Sequence, residues 1–209
     1  IFVRLLESSL FTNTELNMNR KIDLRFSLIV LLILLAAMSR LVPHPPNFTP
    51  IGGMALFGAA YFSKKHWAFL IPMLALFISD LVINNFVYPV LYPEYYSGFT
   101  LFTQGWYWYY GAFMLISLLG GYLLQTVRPT NLLVASLLAS SLFFLITNFG
   151  TWTSGLLYPL NLTGLLACYT AGLPFFLNTL LGDLFYVFVL FGTFAWMQNR
   201  FPQLAFRQQ

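Results

Sequence analysis

Charge is what this 209-residue sequence has least of. Asp, Glu, Lys and Arg together make up 8% of it, about a third of the share a soluble domain needs to solvate its surface. That scarcity excludes a water-soluble globular fold. Cysteine is reduced to Cys168, and histidine to His44 and His66, which excludes a disulfide framework and a Cys/His metal cage. Phosphate-binding Gly-rich loops, G-x-S-x-G elbows and H-E-x-x-H helices are missing too, so no readable motif supports ATP hydrolysis, and no catalytic, cofactor or metal residues are assigned. The net charge of +4 is small and reports membrane topology, not nucleic-acid binding.

Apolar residues dominate: 59% of the chain is hydrophobic and 19% aromatic. Six apolar segments stand out, at about 26–41, 51–63, 67–90, 107–126, 131–150 and 172–197. At about 20 residues per span, six helices leave room for loops and for no extramembrane domain. The expected fold is all-α: a polytopic membrane bundle of six transmembrane helices, lying in a lipid bilayer. The second segment is short and crosses only with help from tilt or from neighbouring loops. Met18, followed by Asn19-Arg20-Lys21, reads as a natural start. Residues 1–17 then read as an upstream extension, with a weak interfacial helix as the alternative, and residues 18–209 as the single domain. The first span has no cleavage site behind it and reads as uncleaved.

Charge placement orients the spans. With the N-terminus and C-terminus cytoplasmic, Arg20, Lys21, Arg25, Lys64, Lys65, Arg128, Arg200 and Arg207 all fall inside, and Arg40 alone outside, as the positive-inside rule requires. The long connections 42–50, 91–106 and 151–171 then lie on the outer face, where a ligand would enter. Ile71-Pro72 ahead of Asp80 and Leu173-Pro174 ahead of Asp183 hint at two inverted halves.

Arg40, Asp80 and Asp183 demand an explanation, because each isolated charge within a span costs about 2.5–3.5 kcal/mol on insertion scales. They are expected to face the bundle interior with partners. Asn84 and Asn85 follow Asp80, Asn178 precedes Asp183, and Asn148 and Trp152 end the fifth span, so the polar groups gather in the outer half. Amides that merely tie helices together are the bland alternative. Two acids and one base leave one carboxylate over, either protonated or available to a ligand. The connector Pro43-His-Pro-Pro-Asn-Phe-Thr-Pro50 is stiff; His44 and Asn47 on it are candidate ligand contacts or parts of a simple helix breaker. Asn47-Phe-Thr49 and Asn161-Leu-Thr163 match a glycosylation sequon. The run Trp106-Tyr-Trp-Tyr-Tyr110 suits an aromatic belt, yet five consecutive rings must send some inward, and Trp108 is expected to stack on a ligand together with Trp152. Small residues on span 2, notably Ala55 and Ala59, permit close helix packing or docking of a partner subunit.

The segments Arg40–Gly53 (RLVPHPPNFTPIGG), Ser79–Asn85 (SDLVINN), Thr147–Trp152 (TNFGTW) and Asn178–Asp183 (NTLLGD) resemble a bacterial family of small membrane transport proteins. That family is similar to the substrate-binding (S) components of energy-coupling factor vitamin transporters. The resemblance runs from Arg25 to about Gln198. It implies a six-helix bundle in the inner membrane, a pocket opening outward, and work with a coupling membrane protein and ATPase subunits. The spaced alanines that S components carry on span 1 sit here on span 2, and Met18-Asn19 does not match the Met-His start of the nickel and cobalt branch. The expected function is uptake of a small planar polar compound, a vitamin or its precursor. Arg40, His44, Asn47, Asp80, Asn84, Asn85, Trp108, Asn148, Trp152, Asn178 and Asp183 are its candidate contacts. A structural or assembly subunit is the alternative, and an intramembrane enzyme using Asp80 and Asp183 a more distant one.

Overall fold

A computed structural model describes residues 24–96 and 98–204. Residues 1–17, Arg20, Lys21, Arg207 and the C-terminus, on which part of the topology expectation rests, lie outside the described residues. The rest is all-helical: α1 Leu24–Ser39, α2 Ile51–Tyr61, α3 Lys65–Leu91, α4 Trp106–Leu123, α5 Pro129–Thr153 and α6 Leu162–Arg200, followed by a 3-10 turn at Pro202–Leu204. No strand occurs among the described residues. By length and composition α3, α5 and α6 can each cross a membrane, while α1 and α2 are shorter apolar helices.

The helices are apolar on their outer faces and hold their small and polar residues inside. On α1, Ile29, Ile33, Ala36 and Ala37 are buried while Leu31 and Leu35 are exposed. On α3, Pro72, Ala75, Leu76, Ser79 and Asp80 point inward and Leu70, Leu74 and Ile78 outward. Both patterns follow the 3.6-residue period with a fully apolar exterior, the form suited to lipid rather than water.

α2 is the axis of the bundle. Its residues Ile51–Gly58 are all buried, and it touches α3, α4, α5 and α6. Its glycines explain how one short helix can be surrounded so closely. A Cβ on Gly53 would lie 2.9 Å from Tyr186 Cβ, and one on Gly58 2.5 Å from Pro72 Cγ. Ala59 faces Gly120 of α4, where an added Cβ would come within 3.0 Å, and Ala55 is wholly buried. The expectation that Ala55 and Ala59 form a docking face for a partner is therefore corrected. The small residues serve internal packing, because α2 has neighbours on every side.

Two boundaries differ from the sequence expectation. α5 continues to Thr153 and α6 begins at Leu162, not near 172, so the connection 151–171 shrinks to 154–161. Asn161 accounts for the early start: its side chain accepts the Gly164 N–H at 2.8 Å and caps α6, the usual task of Asn at this position. Pro174 lies inside α6 without ending it. At 39 residues and 1.5 Å per residue, α6 is about 58 Å long, well over the thickness of a bilayer core.

Because the helices alternate in direction, α1, α3 and α5 finish where α2, α4 and α6 start. The opposite end gathers Arg25, Lys64, Lys65, Arg128 and Arg200 at helix ends and turns. There Arg25 donates to the Leu204 carbonyl at 3.0 Å, and its guanidinium lies 5.5 Å from the Phe194 ring centroid and 5.9 Å from that of Tyr61, joining α1, α2, α6 and the final turn.

Candidate functional site

At the end away from the basic residues the helices part around a cavity of about 1080 Å³. Its floor and walls come from α2 to α6, from Arg40 and Leu41 just after α1, and from the proline connector. The connector turns at Pro45-Pro46-Asn47-Phe48, where the Phe48 N–H bonds the Pro45 carbonyl at 3.0 Å and Asn47 has φ 63°. Proline followed by a positive-φ asparagine is the type II turn signature. The Asn178 amide donates to the Pro46 carbonyl at 2.9 Å and pins the turn to α6. Gly182 lets the connector lie against α6, since a Cβ there would sit 3.0 Å from the Thr49 nitrogen.

The charged centre of the cavity is one pair. Arg40 Nη1 lies 2.7 Å from Asp80 Oδ1, with the two side chains 12% and 9% exposed, and it also donates to Ser79 Oγ at 2.5 Å. Asp80 Oδ2 accepts the Tyr110 hydroxyl at 2.9 Å and the Tyr109 hydroxyl at 3.3 Å. Arg40 Nε is buried without an acceptor among the described residues. One turn beyond Asp80 the helix widens into a π turn, Ile83–Val87, with the Tyr88 N–H bonded to the Ile83 carbonyl. Pro89 explains it: a proline cannot donate to the carbonyl four residues back, here Asn85, and its ring crowds that carbonyl. The wide turn buries Asn84 on the cavity wall and sends Asn85 to the neighbouring loop.

Of the expected contacts, Arg40, His44, Asn47, Asp80, Asn84 and Asn148 line the cavity together. The other five do not, and each has a different task. Asp183 lies beneath the floor. Thr49, Ile51 and Thr179 line both the cavity above and the crevice at Asp183 below, which has no room for a water molecule. Its carboxylate accepts from Ser140 Oγ at 2.6 Å and from the first-turn N–H groups of Gly52 and Gly53, so it caps α2 from across the bundle. The carboxylate left over by the ion pair is thus held by protein donors, not offered to a ligand. Trp108 packs on α5 so closely that any Cβ on Gly150 would fall on its ring. Trp152 Nε1 donates to the Pro159 carbonyl at 3.1 Å, holding the turn before α6. Asn178 pins the connector, as described above.

Asn85 clamps the loop that follows α3. Its amide donates to the Leu81 and Thr100 carbonyls at 2.9 Å each, and its oxygen accepts the Thr100 N–H at 2.8 Å. Asn85→Ala is expected to speed amide exchange in residues 98–105 about thirtyfold, as two bonds to the loop of about 1 kcal/mol each are lost. Unchanged exchange would mean that the loop is held elsewhere.

Sequence reasoning passed over Ser79, Tyr109 and Tyr110, which surround the ion pair. A signal for the tyrosines was present: where an aromatic run must turn some rings toward a buried carboxylate, rings with a hydroxyl satisfy it and tryptophan does so less readily. Tyr88, Tyr92, Tyr96 and Tyr158 also line the cavity. Tyr88 has Tyr96 at 4.9 Å and Tyr92 at 6.0 Å between centroids. Phe144 and Phe176, 5.1 Å apart, come from α5 and α6. No group of His, Cys, Asp and Glu able to hold a metal exists among the described residues.

Residues 20–204, which carry the ion pair, the cavity and all six helices, match a family of unknown function, DUF6580. The chain belongs to that family. No curated protein and no solved structure matches it. In this DUF6580 protein the site is therefore defined by its own geometry: a large polar-aromatic cavity at one end of an apolar bundle, with a single neutralised ion pair in its wall.

Proposed function

We propose that this protein is a membrane transport component that binds a small planar polar compound, a vitamin or its precursor, and passes it inward across a bacterial inner membrane. The observation that carries the reading is the cavity. An open cleft of about 1080 Å³ in which amides, hydroxyls and aromatic rings converge at one end of an otherwise apolar bundle is the form that small-molecule sites take. On this reading all six helices cross, both termini are cytoplasmic, and the basic end faces inward by the positive-inside rule. The cavity then opens outward. Release to the inside follows from rocking of one half of the bundle or from engagement of a coupling membrane protein with ATPase subunits.

The other readings find less support. Asp80 lines the cavity while Asp183 lies in a separate crevice with no room for a water molecule, so a substrate in the cavity does not reach both as acid and base. The small residues of α2 are consumed by packing, which removes the feature that favoured an assembly subunit. The test is a thermal-shift screen of purified protein against vitamins and their precursors. A ligand present at one hundred times its Kd stabilises the folded state by about 2.7 kcal/mol. The shift is expected to vanish in the Arg40→Gln/Asp80→Asn protein, and a shift that persists there would exclude this pocket.

A further inference from the structure

We propose that the cavity selects an uncharged planar ligand bearing an amide-type edge, an N–H beside a C=O as in a lactam or cyclic imide, and that Asn84 is the residue that reads it. This rests on the reading of the cavity as a ligand site and names the ligand's chemical class.

Asn84 is 4% exposed, yet its carboxamide makes no hydrogen bond to any described residue, while Asn85, Asn131, Asn148, Asn161 and Asn178 all do. The residue is enclosed by protein while its amide faces the cavity: among the described residues the fully buried side-chain polar atom without a partner is Arg40 Nε, not an atom of Asn84, so the Asn84 amide edge is free to pair with a ligand. It lines the cavity, so the missing partner is whatever enters there. A primary amide presents one acceptor next to a two-proton donor, and the matching edge is another amide in its cis form. Carboxylates and amines offer only half of that match.

Charge excludes the ionic alternatives. The cavity lining holds one cation and one anion, Arg40 and Asp80, 2.7 Å apart, with His44 on the connector. The two already neutralise each other, so a charged ligand would find no unpaired counter-charge in the lining to offset its own desolvation. A neutral ligand needs none. The walls call for flatness: Tyr88, one turn beyond Asn84, leads a cluster of tyrosine rings, and Phe144 with Phe176 lines the cavity from α5 and α6. Rings of this kind prefer offset or edge-on contact with another π system.

Two matched probe pairs test this on the purified full-length protein: uracil with 1,3-dimethyluracil, and lumichrome with 1,3-dimethyllumichrome. Methylation keeps the ring and its carbonyls and removes the N–H donors. The anionic tricycle 2-anthroate is the charge control. At least one parent compound is expected to bind about tenfold or more tightly than its dimethyl form, the effect of one or two hydrogen bonds to a buried amide. That ratio should fall to about one in Asn84→Leu, with thermal unfolding of the unliganded protein unchanged or raised, because Asn84 has no internal partner to lose. A merely structural asparagine would lower it. Asn84→Ser is the second variant should the leucine disturb the π turn. If the dimethyl forms or 2-anthroate bind as well as the parents, and do so only with Arg40 and Asp80 intact, the amide-edge inference is overturned and the cavity reading stands. If no probe and no vitamin binds, both are overturned.

Discussion

Gly52→Ala is expected to destabilise the protein by about 3 kcal/mol or more, although it adds a single methyl group. The added Cβ would collide with the Asp183 carboxylate. That carboxylate cannot move aside cheaply, because Ser140 Oγ and the N–H groups of Gly52 and Gly53 hold it and Asp183 is 2% exposed. The overpacking contributes about 1–3 kcal/mol and each bond broken from the buried carboxylate a further 1–3 kcal/mol. Unfolding by SDS titration with a helicity readout measures the loss. Gly192→Ala is the control: a Cβ there meets nothing within 4 Å, so the substitution should be neutral or stabilising by about 0.5–1 kcal/mol. The double variant Gly52→Ala/Asp183→Ala should be less unstable than the sum of the two single losses, since the clash needs both partners. Strict additivity would mean that Asp183 does not abut α2.

Arg40→Ala and Asp80→Ala should each cost about 3–5 kcal/mol, because either leaves its partner as a buried charge with nothing opposite it. Asp80→Ala is the worse of the two. It also removes the acceptor of the Tyr109 and Tyr110 hydroxyls. Arg40→Met/Asp80→Leu, which removes both charges, should recover most of the loss. This separates the ion pair's structural contribution from its role in the cavity: the double apolar variant folds, and any loss of imide binding it then shows is the pair's contribution to the ligand. Single losses below about 1 kcal/mol would place the pair in solvent-like surroundings, where ion pairs contribute that little, and would remove the basis for excluding charged ligands.

The sequence pointed to six of the residues that line the cavity and to five that do other work, and it did not reveal how they are wired. Arg40, Asp80 and Asp183 are conspicuous because charge is so scarce, and the insertion cost of each marks it as partnered. Nothing in the sequence says which aspartate Arg40 meets. Both follow a proline by eight or nine residues and both lie on an inward face, so helical periodicity treats them alike. The π turn breaks the symmetry on α3 by widening the helix at Asn84 and Asn85, and the short α2 breaks it on α6 by presenting its bare N–H groups to Asp183. The early start of α6 was legible in principle, through Asn161 as a cap, and was obscured by Pro174, which reads as a boundary although it lies within the helix. Trp108 and Trp152 illustrate the limit of aromatic signals: a ring required to face inward is equally well used against Gly150 or a turn carbonyl as against a ligand.

By itself the sequence determined the class: with 8% charge and six apolar segments, a helical bundle with an apolar exterior is what satisfies the backbone. It also determined that the few charges left in those segments must be buried and partnered. Only the tertiary structure decided that Arg40 joins Asp80, that Asp183 caps α2 beneath the cavity floor, and that the Asn84 amide faces the cavity with no partner among the described residues. The reason is physical. Periodicity specifies the face a side chain occupies, whereas its partner depends on how helices distant in sequence rotate and approach, and here that approach is set by glycines whose missing side chains leave no pattern of their own.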